Sequence, residues 1–305
     1  MIDPHQIAQL STEQRNPATM ELDTFTPLQI AQAMNTEDAN VVRAVERVLP
    51  DIAVAIQWAA DSLKAGGRII YLGAGTSGRL GVLDAVECPP TFGVDSDVVV
   101  GLIAGGKDAF VKAREGAEDD KSQGETDLRD IALSSRDFVV GLAASGRTPY
   151  VIGGLAYARE VGCKTAAVAC TPHSQTGQVA ELAIEPITGP EVLTGSTRLK
   201  AGTAQKLVLN MISTGAMTLT GKVYQNLMVD VKQTNEKLRA RALNIVTAAC
   251  ECDEACAANA LAKANGSVKL AIASILLNVD AQQAEQTLAQ AGGHVRTALN
   301  QASRS

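Results

Sequence analysis

Residues 68–75, RIIYLGAG, run an apolar, strand-length stretch straight into a glycine loop. Such a run predicts a buried strand whose end opens into a tight turn. Four more runs of the same kind follow: VVVGLIAGG (98–106), DFVVGLAASG (137–146), TAAVACT (165–171) and LAIEPI (182–187). Segments of helical character lie between them. Strands alternating with helices predict a parallel sheet covered on both faces. The expected fold is a three-layer αβα sandwich on a five-stranded parallel sheet, with a small C-terminal helical domain.

Working outward, residues 36–65 are helical in pattern, with Val42, Val45, Val48, Leu49, Ile52, Ile56 and Ala59 near one face and Gly66–Gly67 as the stop. Trp58 reads as helix packing. Residues 1–36 are polar with few periodic signals and read as an N-terminal arm. Downstream, residues 196–219 predict a long helix carrying Leu207, Met211 and Met217, and residues 227–250 a second, charged one. After about residue 252 the composition shifts to Ala, Gln and Asn, with breaks at Asn265–Gly266, Asn278–Asp280 and Gly292–Gly293. The division this predicts is an arm over 1–36, the α/β domain with its long helices over 37–250, and a three-helix domain over 251–305.

A length of 305 residues with 46% hydrophobic content suffices for a large core, and at 3% aromatics that core must be aliphatic. A formal net charge of -6 argues against a duplex-binding face, which needs concentrated positive charge. A small anion needs only a few local donors. The six cysteines, Cys88, Cys163, Cys170, Cys250, Cys252 and Cys256, are scattered and read as reduced, consistent with a cytoplasmic location. The cluster at 250–256 lacks paired CxxC spacing, so no metal is expected. No secretory leader or membrane span is expected either.

The loop Gly73-Ala74-Gly75-Thr76-Ser77-Gly78 matches the dinucleotide pattern GxGxxG. That reading requires a ribose-binding acid at the tip of the second strand, which instead ends Leu102-Ile103-Ala104-Gly105-Gly106. The alternative is a sugar-phosphate pocket, with backbone N–H groups and the hydroxyls of Thr76 and Ser77 at a helix N-terminus. One of these hydroxyls is expected to be only the helix cap. A second such loop, Ala144-Ser145-Gly146-Arg147-Thr148-Pro149, ends the third strand. Ser145 and Thr148 there form a neutral phosphate cradle, with Pro149 suited to a first helical turn.

Three long segments, LGAGTSGRLGVLDAVECPPTFG (72–93), GLAASGRTPYVIGGL (141–155) and TGSTRLKAGTAQKLVLNMISTGAM (194–217), continued by NLMVDVKQTNEKL (226–238), resemble the N-acetylmuramic acid 6-phosphate etherase family of SIS-fold sugar-phosphate enzymes. The resemblance covers nearly all of the chain beyond the first 20 or so residues. It implies removal of D-lactate from the sugar ether to leave N-acetylglucosamine 6-phosphate, without cofactor or metal. It also implies a homodimer with sites near the subunit interface. Two catalytic glutamates carry over onto Glu87 and Glu118. By composition alone Glu118 is not separable from Glu115 or Asp119. Glu87, between Val86 and Cys88 and ahead of Pro89-Pro90, is expected just past its helix, in an extended exit with apolar neighbours and a pKa raised by desolvation. Candidate substrate-binding residues are Thr76, Ser77, Arg79, Ser145, Gly146, Arg147, Thr148, Ser196 and Lys200. Arg198 and Lys200 are candidates for the lactate carboxylate or the phosphate, or are ordinary helix-start charges. His5, His173 and His294 sit in no triad-like context. The rival functions are another SIS isomerase and a non-catalytic sugar-phosphate sensor.

Overall fold

The computed structural model describes residues 11–112, 114–233 and 235–303. His5 lies outside them. Five parallel strands, β1 (Ile69–Gly73), β2 (Val99–Ile103), β3 (Phe138–Leu142), β4 (Lys164–Val168) and β5 (Leu182–Ile184), form one sheet in the order β2-β1-β3-β4-β5. Every residue of β1 and β3 is buried, as continuous apolar strands covered on both faces must be. Ile69 pairs with Val99 on one side and Phe138 on the other, so the strand tips of β1, β2 and β3 align. The sandwich expected from the five apolar runs is present.

The strand order sets the site. From β1 the chain steps to β2 on one side, then crosses back to β3 on the other. The crevice at the carboxyl ends of β1 and β3 is therefore the topological switch point, where ligands of open α/β sheets bind. At the opposite edge Asp137 pins the strand starts. Its carboxylate accepts from Arg68 N (2.9 Å), Arg68 Nη2 (2.7 Å) and Ser134 N (2.9 Å).

The helices are α1 (Pro27–Glu46), α2 (Leu49–Lys64), α3 (Gly75–Phe92), α4 (Lys121–Asp130), α5 (Pro149–Val161), α6 (Gln175–Val179), α7 (Lys200–Leu219) and α8 (Glu236–Cys250). Helix α1 starts nine residues before the expected position. Thr26 and Gln29 form a reciprocal capping box with Pro27 in the first turn, an entry signal independent of apolar periodicity. Trp58 of α2 meets Phe138 edge-on at 6.2 Å, as its packing role predicts.

Two expectations are corrected. Helix α3 runs through Pro89 and Pro90 to Phe92, so Glu87 lies inside a helix and not in an extended exit. Each proline removes an N–H bond, to the Ala85 and Val86 carbonyls respectively, and its ring crowds that carbonyl, yet the helix continues to Phe92. Residues 227–250 are not one helix: β6 (Val223–Tyr224) and β7 (Leu227–Met228) form a small antiparallel hairpin before α8.

The C-terminal region holds four helices where three were expected: α9 (Glu254–Lys263), α10 (Val268–Leu277), α11 (Ala281–Gln290) and α12 (Val295–Ala302). Three breaks bound four segments, and Asp253, Ser267 and Asp280 cap three of their starts. Ala242, Val246, Ala257, Ala271, Ile272 and Ala284 form their fully buried aliphatic centre with α8.

The chain forms two compact units, residues up to Val86 with Asp97–Ser213, and Glu87–Ser96 with the chain from Thr214 onward. Among the described residues no single helix is long and apolar enough to cross a membrane. The six cysteines form no disulfide with one another.

Candidate active site

Both glycine loops lie at the switch point. The first turns so tightly that a Cβ on Gly73 would stand 2.7 Å from Gly78 N, and α3 begins at once, at Gly75 with φ +52°. Thr76 and Ser77 therefore occupy the first helical turn, and neither is the cap that the sequence suggested. The buried Ser77 hydroxyl meets Gln205 Oε1 of α7 at 2.8 Å. Thr76 is half-buried, and its hydroxyl bonds to no described residue. A second polar bridge ties α3 to α7: Lys206 Nζ lies 3.2 Å from Asp84 Oδ1, whose other oxygen accepts from Tyr71 at 3.0 Å.

The second loop is fixed from below. Gly146 has φ +69°, its N–H reaches Ala143 O at 2.9 Å, and its carbonyl accepts from Thr176 N at 2.9 Å. A Cβ there would stand 2.3 Å from Ser174 Cβ. The Glu185 carboxylate holds the neighbouring turn by accepting from His173 N (2.9 Å) and Ser174 N (2.8 Å). His173 is thus a loop residue, with a left-handed backbone at φ +53°. Thr148 precedes Pro149 of α5 but makes no capping bond, so the helix N-terminus keeps its orphan donors. Ser145, Arg147 and Thr148 are half-buried around it. Two helix N-termini and a set of uncommitted hydroxyls thus meet at one sheet edge, an arrangement suited to a phosphate monoester.

The 190–201 segment is built differently from expectation. Glu191 is fully buried and takes the N–H groups of Lys200 and Ala201 at 3.0 Å each, capping α7. Burial raises its pKa, against the opposing pull of those two amides. Lys200 Nζ lies 2.6 Å from Glu37 Oε2, and the lysine side chain is 1% exposed. Lys200 is thus engaged by Glu37 within this chain. Ser196 is half-buried in a turn closed by Ser196 N on Leu193 O at 3.0 Å, and Arg198 is exposed. A Cβ on Gly202 would lie 3.6 Å from Thr76 Cγ2, which places the start of α7 against the first glycine loop.

Beside Gly75 is a cavity of about 170 Å³ walled by Ala104, Arg79, Arg114, Glu115 and Glu118. Glu118 sits exposed on a single 3-10 turn, Ala117–Asp119, entered through Gly116 at φ +76°. Of the acidic residues that composition left open, Glu115 and Glu118 line this cavity and Asp119 does not. Arg79 donates Nε to Phe110 O and Nη2 to Ala109 O, both at 2.8 Å, and so braces the cavity wall.

Glu87 stands twelve residues after Gly75 in α3, about three turns further along. It is exposed, so the apolar surroundings expected for it are absent in the single chain. The neighbouring Val86 is itself 58% exposed. Thr76, Ser77, Arg79 and Glu118 thus gather around the first loop and Ser145–Thr148 around the second. Sequence reasoning missed Arg114, Gln205 and Glu191. Gln205 lies inside a quoted segment, but nothing local marks its partner 128 positions away.

This fold and site define a sugar-phosphate-binding protein of the SIS class. Residues 51–159 match the glucokinase regulatory protein N-terminal SIS domain family. A phosphosugar isomerase involved in capsule formation, so named, from Bacteroides fragilis shares the fold, with TM-score 0.50 and 16% identity over 66% of this chain and 95% of its own. N-acetylmuramic acid 6-phosphate etherase of Pectobacterium atrosepticum is 60% identical over 95% of this chain and 96% of its own length. The enzyme of that name from Yersinia pestis is 60% identical over 95% and 98%. The chain belongs to the N-acetylmuramic acid 6-phosphate etherase family.

Proposed function

We propose that this protein cleaves the D-lactyl ether of N-acetylmuramic acid 6-phosphate, giving N-acetylglucosamine 6-phosphate and D-lactate. The observation that carries the reading is identity of 60% with etherases along nearly the full length of both chains. The hydroxyl-rich loops at the switch point support it, since they suit a phosphate monoester.

An alkyl ether resists direct hydrolysis. In the open-chain sugar, carbon 2 lies beside the aldehyde and its proton is acidic. Removing that proton gives an enolate that expels lactate from carbon 3. Water then adds at carbon 3, and carbon 2 regains a proton. The route needs a base at carbon 2 and an acid at the departing oxygen. We assign Glu118 to carbon 2, because it lines the cavity beside the glycine loop, and Glu87 to the lactate oxygen and the incoming water. Ser145, Gly146, Arg147 and Thr148 hold the phosphate with Thr76; Ser77 and Ser196 contribute to the pocket wall.

The active form in this reading is a homodimer with its sites near the interface, acting in the cytoplasm in the recycling of peptidoglycan sugars. Leu83 and Val86, 38% and 58% exposed on α3 beside Glu87, are apolar surface of the kind a subunit contact covers. Incubation with N-acetylmuramic acid 6-phosphate and assay of free D-lactate tests the function. Interconversion of aldose and ketose phosphates without lactate would indicate an isomerase, and binding without turnover a sensor.

A further inference from the structure

We infer that Arg79 and Arg114 form the subsite for the carboxylate of the departing lactyl group. The inference rests on the etherase reading and narrows it to one cavity. The cavity beside Gly75, about 170 Å³, is walled by Arg79, Arg114, Glu115 and Glu118. The phosphate has its own cradle on the other loop, so this cavity is left for a different part of the substrate.

The charge in the cavity has a definite order. Arg79 spends two N–H groups on Phe110 O and Ala109 O, and Arg114 spends Nη1 on Gly105 O at 2.9 Å. Two backbone bonds fix the Arg79 guanidinium plane, one tethers the exposed Arg114, and each guanidinium carries five N–H donors. A planar fork of this kind suits a carboxylate, and its prior fixing lowers the entropic cost of binding. Glu115 and Glu118 line the same space with opposite charge. A bound carboxylate is therefore tolerated only while both arginines are present. Of the two other cations proposed for this group from sequence, Lys200 is engaged by Glu37 and Arg198 is exposed.

The lactyl carboxylate carries the same charge before and during ether cleavage, so the arginines bind ground state and transition state alike. Their loss appears in KM more than in kcat. The test compares kcat/KM on N-acetylmuramic acid 6-phosphate with kcat/KM on 3-O-ethyl-N-acetylglucosamine 6-phosphate, which lacks only the carboxylate. In Arg114→Gln and in Arg79→Gln the lactyl-to-ethyl ratio is expected to fall at least about tenfold from the wild-type ratio. Arg114→Lys, which keeps the charge but not the fork, should recover part of it. Arg79 also braces the 109–110 turn, so Arg114→Gln remains decisive where Arg79→Gln does not fold. A change of less than about tenfold in Arg114→Gln, with lactate release by the wild type intact, overturns the subsite and leaves the etherase reading standing. Absence of lactate release by the wild type overturns both.

Discussion

Lys200 Nζ and Glu37 Oε2 lie 2.6 Å apart, with the lysine side chain 1% exposed and the glutamate 16%. The pair fastens the start of α7 to α1. Desolvation pushes the Glu37 pKa up, but hydrogen bonds and charge from Lys200, with Asn16 and Asn40, outweigh it and hold the carboxyl below its ordinary 4.5. A lowered folded pKa means that stability is present above about pH 4.5 and lost as pH falls through the folded value. Removing one partner of a buried pair costs about 3–5 kcal/mol. Lys200→Met should therefore lower stability by about that amount at pH 7, and the deficit should shrink on acidification below pH 4.5. Urea unfolding of both proteins across pH 3–7 measures it. A deficit independent of pH would break the link to Glu37.

Gly146 is the position where the phosphate loop tolerates no side chain. A left-handed backbone costs a non-glycine residue about 1–2 kcal/mol, and a Cβ 2.3 Å from Ser174 Cβ forces the turn apart, at about 1–3 kcal/mol more. Gly146→Ala should lower thermal stability and raise KM together. An unchanged melting temperature and KM would mean that the loop is not rigid.

Ser145 is assigned to the phosphate. Ser145→Ala should raise KM by the equivalent of about 1–3 kcal/mol, the loss of a hydrogen bond to a charged group. Steady-state kinetics with phosphorylated and unphosphorylated muramic sugar checks this. Equal turnover of the two sugars would remove phosphate from the second loop.

The two glutamates should separate by partial reactions. Glu87→Gln keeps shape but cannot donate a proton, and a lost general acid costs about 10²–10⁴-fold. This variant should still exchange the carbon-2 hydrogen with solvent while releasing lactate slowly. Glu118→Gln should lose both. Proton NMR of the sugar in deuterated buffer follows exchange and release together. Exchange lost in Glu87→Gln but kept in Glu118→Gln would reverse the assignment.

The sheet was legible because β1 and β3 are apolar at every position, a pattern that few other contexts produce. The two loops were legible because glycine and hydroxyl residues cluster at strand ends. The Lys200–Glu37 pair was not, since its partners stand 163 residues apart and nothing local marks a lysine for burial. The surroundings of Glu87 were misread through Pro89-Pro90: proline normally ends a helix because it removes an N–H and crowds the carbonyl four residues back, yet this helix runs through both to Phe92. Gln205 and Glu191 act on the site only through tertiary contact, so composition carries no trace of them. The early start of α1 had a readable signal in Thr26-Pro27-Leu28-Gln29, which outranks the weak apolar periodicity that follows.

The central claim is cleavage by elimination and addition, and isotopes from water test it most directly. Turnover of N-acetylmuramic acid 6-phosphate in deuterated, oxygen-18-enriched water should place deuterium at carbon 2 and the heavy oxygen at carbon 3 of N-acetylglucosamine 6-phosphate, with unlabelled D-lactate. Heavy oxygen in the lactate, with no deuterium at carbon 2, would show displacement at the lactate carbon and contradict the account.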